Sequence, residues 1–194
     1  LVTGVVIVLG KLVGWTDVSG FDSQMYLTGL VAALLPALIK NIFEEFVWRG
    51  YLTSKLIKTN LKDYWTYLIV GGVWGLWHVP YYLYFLPESA MVQVLLADRA
   101  TFTLVALLTM VCWAVMYVEL YRMTKSIWPV VILHAVEDAT INHLVIDQHI
   151  LIESGKALLI SPIVGFVTSA IYLFIGLWLR NVRLGHQTMR LSPV

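Results

Sequence analysis

Apolar runs of membrane-crossing length leave this chain few ways to fold. A bilayer core takes about 20 mostly apolar residues per helical crossing, and the stretches 25–46, 65–85, 101–121, 127–150 and 157–179 each reach that length. Residues 1–9 add a shorter, partial span, the first of six in chain order. With 59% hydrophobic and 13% charged residues, the 194-residue chain is too apolar to be solvated as one soluble domain. The expected fold is all-α, a polytopic transmembrane helical bundle with about six spans.

Charge placement orients such a bundle. The formal net charge of +1 carries no signature of nucleic acid. Lys55, Lys58 and Lys62 follow the second span, Arg122 and Lys125 the fourth, and Arg180, Arg183 and Arg190 the sixth. The intervening loops carry Asp17 and Asp22, then Glu88, Asp98 and Arg99, then Asp147, Glu153 and Lys156. Because cytoplasmic loops accumulate Lys and Arg, the basic loops and the carboxyl terminus are expected in the cytoplasm. The single Cys112 excludes an intrachain disulfide, and apolar burial would suppress its thiolate. No cleavable signal peptide is evident, and a start at Leu1 leads us to expect further native residues before it.

Short loops and the absence of an evident repeat or low-complexity linker favour one membrane-embedded domain over 1–194, with its chemistry-bearing core at about 25–150. Trp15, Trp65, Tyr67, Tyr121, Trp128 and Trp178 fall near span ends, where aromatic rings anchor helices at the interface. Gly71 and Gly75, four apart, read as a close helix–helix contact, not as a phosphate loop.

Three polar clusters interrupt the apolar spans. In the first, Glu45 and Arg49 form an i, i+4 pair able to neutralise itself, whereas Glu44 points about 100° away and is expected to be unmatched. If lipid ends near Leu52, Glu44 lies roughly 12 Å deep at 1.5 Å rise per residue. The second cluster is His78 followed by Pro80. The proline cannot donate to the carbonyl of Leu76, so a kink and a freed carbonyl beside His78 are expected. In the third, His134, Asp138 and Asn142 recur every four residues and form one stripe, with His134 at a depth similar to that of Glu44. A solvated helix end, a core histidine and an interhelical polar seam are the structural alternatives for the three.

Magnitudes decide against those alternatives taken together. Glu44, Glu45, Arg49 and Asp138 would cost on the order of 10 kcal/mol if ionised near mid-span, and seam contacts contribute well under 1 kcal/mol each. The groups must be paired, hydrated in a cavity or kept for function, and one cavity open to the cytoplasm would serve all three clusters.

The ordered set Glu44-Glu45-x-x-x-Arg49 before Gly50-Tyr51-Leu52, then Trp74-x-x-x-His78 before Pro80, then His134-x-x-x-Asp138, resembles the CPBP family of intramembrane proteases. That family includes Ras-converting CAAX prenyl endopeptidases and bacterial Abi, or bacteriocin-immunity, proteins. The likeness covers about 36–142; each motif alone is weak, and their order is what is specific. Trp74 stands where the family usually has Phe, and Asp138 where it has Asn or Asp.

The resemblance implies an intramembrane endopeptidase. Glu44 would be the general base that activates a water, His78 would help to hold that water, and His134 and Asp138 would stabilise the oxyanion. Glu45 and Arg49 would support the site. An ionised Asp138 accepts hydrogen bonds but donates none, so it would instead orient His134. A second catalytic type stays open here: Glu44, His78, His134 and Asp138 are also a donor set suited to Zn²⁺ or another divalent metal, whereas the glutamate-activated water needs no cofactor. The implied substrate is a peptide or lipid-anchored protein, including prenylated chains, in the cell membrane of a prokaryote or the endoplasmic reticulum of a eukaryote. Membrane lipids are the other expected partners; nucleic acid is not, and the oligomeric state is undetermined. A non-proteolytic scaffold or immunity protein is the alternative function. A proton-coupled transporter fits less well, because no matching half-bundle repeats are evident.

Overall fold

The computed structural model describes residues 2–191, and side chains as far as residue 186. Leu1, at the start of the partial first span, lies outside the described residues, as does the side chain of Arg190. The chain is helical almost throughout: α1 (Val2–Leu12), α2 (Ser23–Glu45), α3 (Ser54–Leu56), α4 (Asp63–Pro80), α5 (Glu88–Val94), α6 (Arg99–Thr124), α7 (Trp128–Glu137), α8 (His143–Ile146), α9 (Ala157–Ile160) and α10 (Phe166–Leu191). A two-residue antiparallel ladder pairs β1 (Thr16–Asp17) with β2 (Leu151–Ile152), tying together the loops after α1 and α8.

Three described helices are long and apolar enough to cross a membrane: 23–59, 99–124 and 128–146. The expected count of about six is not established by this measure. The run expected over 157–179 is interrupted: α9 ends at Ile160, the chain turns through Ser161 to Gly165, and α10 starts at Phe166. Pro162 accounts for the break, since it has no N–H to donate and disfavours helical backbone at Ser161, which is extended (φ −59°, ψ 128°); the Ser161 Oγ then accepts from the backbone of Ile163 and Val164 while its carbonyl accepts from Thr168. Local side-chain bonds of this kind compete with helix continuation.

Helix α6 lies at the centre, packed along α4 on one side and α10 on the other. Glycines permit the approach. A Cβ on Gly71 would stand 2.7 Å from the Cα of Val111, and one on Gly176 would stand 2.5 Å from the backbone nitrogen of Met116. Gly75 faces Leu107 in the same contact, as expected of the Gly71/Gly75 pair.

Helix α2 packs on α7 with its polarity turned inside out. Leu27, Val31, Leu35, Ile39 and Phe43 are exposed, while Asn41, Glu45 and, one turn further, Arg49 have no exposed surface. Water would make that arrangement unstable; hydrocarbon around the helix makes it favourable.

Several basic residues at the ends of α6 and α10 are locked in ion pairs. Arg183 donates to Glu119 at 2.6 Å and to Asp63 at 2.9 Å, Arg122 to Asp63 at 2.7 Å, and Arg180 to Asp63 at 2.7 Å. Glu119, with no exposed surface, also accepts from the Tyr67 hydroxyl at 2.6 Å. This cluster joins α4, α6 and α10 at one end of the bundle.

Candidate active site

All three polar clusters sit where a helix changes from α to π winding. Glu44 and Glu45 end α2, and the π segment Phe46–Thr53 carries Arg49. His78 and Pro80 close α4 immediately before the π segment Tyr81–Phe85. His134 lies in α7, and Asp138 opens the π segment Asp138–Asn142. A π turn adds a residue and re-aims the side chains after it, and such turns concentrate at functional sites. The regular four-residue stripe expected for His134, Asp138 and Asn142 is therefore broken after Glu137.

Glu45 forms the buried centre of the first cluster. Its Oε1 accepts from Arg49 at 2.8 Å and from His134 Nδ1 at 2.8 Å. The i, i+4 pair expected from the sequence is present, and it extends to the third cluster. The Arg49 guanidinium lies against both the Trp74 and the Tyr117 ring, 4.6 Å from each centroid. Two of its nitrogens have no hydrogen-bond partner among the described residues, and the ring faces take that place. A carboxylate only accepts, so the proton on His134 Nδ1 is committed to Glu45. The other ring nitrogen, Nε2, stands 3.8 Å from Asp138 Oδ1.

Glu44 is not unmatched as expected. Its Oε1 lies 3.3 Å from the Lys40 ammonium, one turn back on α2, and its Oε2 accepts from the indole of Trp74 at 3.2 Å. The sequence contained the signal, since Lys40 and Glu44 are an i, i+4 pair. Asp138 Oδ2 accepts from the same Lys40 at 2.8 Å and from Asn41 at 2.9 Å. Those bonds cross between helices, and no spacing rule foretells them.

His78 is held differently from the sequence expectation. Its Nδ1 lies 2.9 Å from the carbonyl of Trp74, not that of Leu76, and the ring stacks on Tyr82 at 5.7 Å. The carbonyl accepts, so Nδ1 carries the proton and Nε2 is left with a lone pair. Glu137, given no role from sequence, accepts from the hydroxyls of Tyr117 and Tyr172.

Several of these groups border a cavity of about 910 Å³. Lys40, His78, His134, Glu137 and Asp138 lie at its polar part, and Leu86, Val94, Phe102, Ile141, Ile163 and Val164 among its apolar walls. Glu44 does not line it; Lys40 and Trp74, which bond its two oxygens, do.

The donor set does not fit a divalent metal in this arrangement. Among the described residues no group of three or more His, Cys, Asp or Glu side chains is gathered closely enough to hold one. A cation already bridges the carboxylates, because the Lys40 ammonium contacts both Glu44 and Asp138.

Helices that expose apolar residues and enclose charged ones, around a cavity, define an integral membrane protein. Residues 26–140, more than half of the chain, match the model of the family described as type II CAAX prenyl endopeptidase Rce1-like. The chain belongs to that family, a family of proteases within the CPBP group. No curated protein and no solved structure matches it.

Proposed function

We propose that this protein is an intramembrane endopeptidase that hydrolyses a peptide bond of a membrane-anchored substrate, prenylated chains included, near the cytoplasmic face, with a water activated by Glu44. The observation that carries this reading is an apolar-walled cavity lined by His78, His134 and Asp138, with the partly exposed Glu44 carboxylate held next to it by the lining residues Lys40 and Trp74.

Glu44 is the base. The Trp74 indole holds one of its oxygens, and displacement of the half-exposed Lys40 from the other opens it to a water. His78, with Nδ1 fixed on the Trp74 carbonyl, offers Nε2 to accept a hydrogen bond from that water. His134, fixed through Nδ1 by Glu45 and flanked at Nε2 by Asp138, acts as the imidazolium, the form that two neighbouring carboxylates favour, and its Nε2–H donates to the carbonyl oxygen as it gains charge, where a preorganised donor in a low-dielectric site acts most strongly. The apolar walls suit a lipid chain, which would hold the scissile bond at constant depth and raise its local concentration. No step is assigned to a metal.

The experiment compares membrane-associated peptides, by mass spectrometry, from cells expressing the intact protein or Glu44→Ala at matched levels. Peptides that differ reproducibly and share a cut site are the expected result. Identical peptide sets from two folded, abundant proteins would sink the proteolytic reading in favour of a binding scaffold or immunity protein.

A further inference from the structure

One ammonium group stands between the two carboxylates at the polar part of the cavity. Lys40 Nζ lies 2.8 Å from Asp138 Oδ2 and 3.3 Å from Glu44 Oε1; its side chain is 50% exposed and lines the cavity. His134 Nε2 lies 3.8 Å from the other oxygen of Asp138. The same carboxylate therefore has Lys40 and Asn41 on one oxygen and His134 near the other. An ionised Asp138 has no proton to offer an oxygen that is gaining charge. An ammonium has three donors, of which these carboxylates take two.

We propose that Lys40 is a catalytic residue, the cationic donor to the oxyanion, held in place by Asp138 and acting together with His134. The assignment rests on the hydrolytic reading above. The contact to Glu44 is the longer of the two and is the one that gives way when water takes its place. Lys40 stays on Asp138, and its freed N–H turns to the substrate carbonyl. The water oxygen then bonds to the carbonyl carbon while Glu44 takes one proton. The C=O π pair moves onto oxygen, where the Lys40 ammonium and the His134 imidazolium, through Nε2–H, donate hydrogen bonds without transferring their protons. On collapse the C=O bond reforms, the C–N bond breaks, and the proton held by Glu44 goes to the leaving amine. One group thus covers the base at rest and serves the oxyanion during reaction, which links the opening of Glu44 to the entry of a carbonyl.

The test needs no turnover. Two farnesylated peptides are titrated into the full chain in lipid nanodiscs: one carries an anionic phosphinate in place of the scissile amide, the other a neutral hydroxyethylene group. Wild type is expected to favour the phosphinate. Lys40→Met should cut that preference by about 10²-fold, as loss of one oxyanion donor does. Lys40→Arg should keep most of it, and Lys40→Met combined with Asp138→Asn should regain part, because the amide supplies an N–H and leaves no unpaired charge. Those rescues separate a donor from a residue that merely supports folding. A wild-type preference of one, or an equal preference in Lys40→Met, overturns the proposal. Preference that depends on Lys40 while neither wild type nor Glu44→Ala cleaves the parent peptide would leave the anion donor standing and remove the hydrolytic reading.

Discussion

His134 Nδ1 lies 2.8 Å from Glu45 Oε1, the same oxygen that accepts from Arg49. One buried carboxylate thereby joins the first and third sequence motifs and fixes which histidine nitrogen is left for the cavity. Its neighbour Glu44 faces Lys40 and Trp74, so the adjacent glutamates stand in separate settings, one inside the buried pairing with Arg49 and His134 and the other beside two cavity-lining residues. Helical geometry makes this natural, because consecutive residues point about 100° apart.

Substituting His134 by Phe should keep the edge-on ring contacts with Trp74 and Tyr117. Arg49 still pairs with Glu45, so the fold should persist with a loss of about 1–3 kcal/mol for the missing bond. Cleavage should fall about 10²- to 10³-fold through loss of a donor. Normal turnover by a folded variant would remove His134 from the chemistry.

Glu45→Ala leaves the Arg49 guanidinium, which has no exposed surface, without its counter-charge. Breaking a buried pair on one side costs about 3–5 kcal/mol. Thermal unfolding in detergent should show a large loss, greater than that for Glu44→Ala, whose carboxylate is partly exposed. Equal melting temperatures for the two variants would contradict the division of labour between the glutamates.

Gly71 and Gly72 make a matched pair of probes. A Cβ at Gly71 would meet the Val111 backbone at 2.7 Å, whereas one at Gly72 finds nothing within 4 Å. Alanine at 71 should force α4 from α6 and cost about 1–3 kcal/mol. At 72 it should be neutral or stabilise by about 0.5–1 kcal/mol through helix propensity. The difference in unfolding free energy between the two variants is the quantity to measure, and a value near zero would mean that α4 and α6 are not packed backbone to backbone.

Glu119 receives bonds from Arg122, Arg183 and Tyr67. Replacing it by Leu strands Arg183 beside Asp63 alone, and the expected cost is again about 3–5 kcal/mol. The cavity groups lie elsewhere, so the surviving folded fraction should bind ligand with unchanged affinity. A weakened ligand affinity per folded molecule would show that this end of the bundle is coupled to the site.

What the sequence alone determined was whatever depends on local periodicity and on the cost of burying charge. Long apolar runs specify helices surrounded by lipid, the four-residue spacing of Glu45 and Arg49 specifies their pairing, and two glycines four apart specify a helix contact. Lys40 with Glu44 obeyed the same spacing rule and was equally legible. The tertiary structure decided the rest. Asp138 meets Lys40 and Asn41 across a helix interface, and Glu137 collects hydroxyls from α6 and α10. Such partners are set by how whole helices cross, which no single helix encodes. The π turns after Glu45, Pro80 and Glu137 were hidden for a related reason: a period of 3.6 residues is assumed in reading side-chain faces, and a π turn departs from it where packing and polar bonding outweigh regular winding. The break after Ile160 had a local signal in Pro162, which turns the preceding residue away from the helix, whereas the partners that satisfy the Ser161 hydroxyl and carbonyl were visible only in the structure.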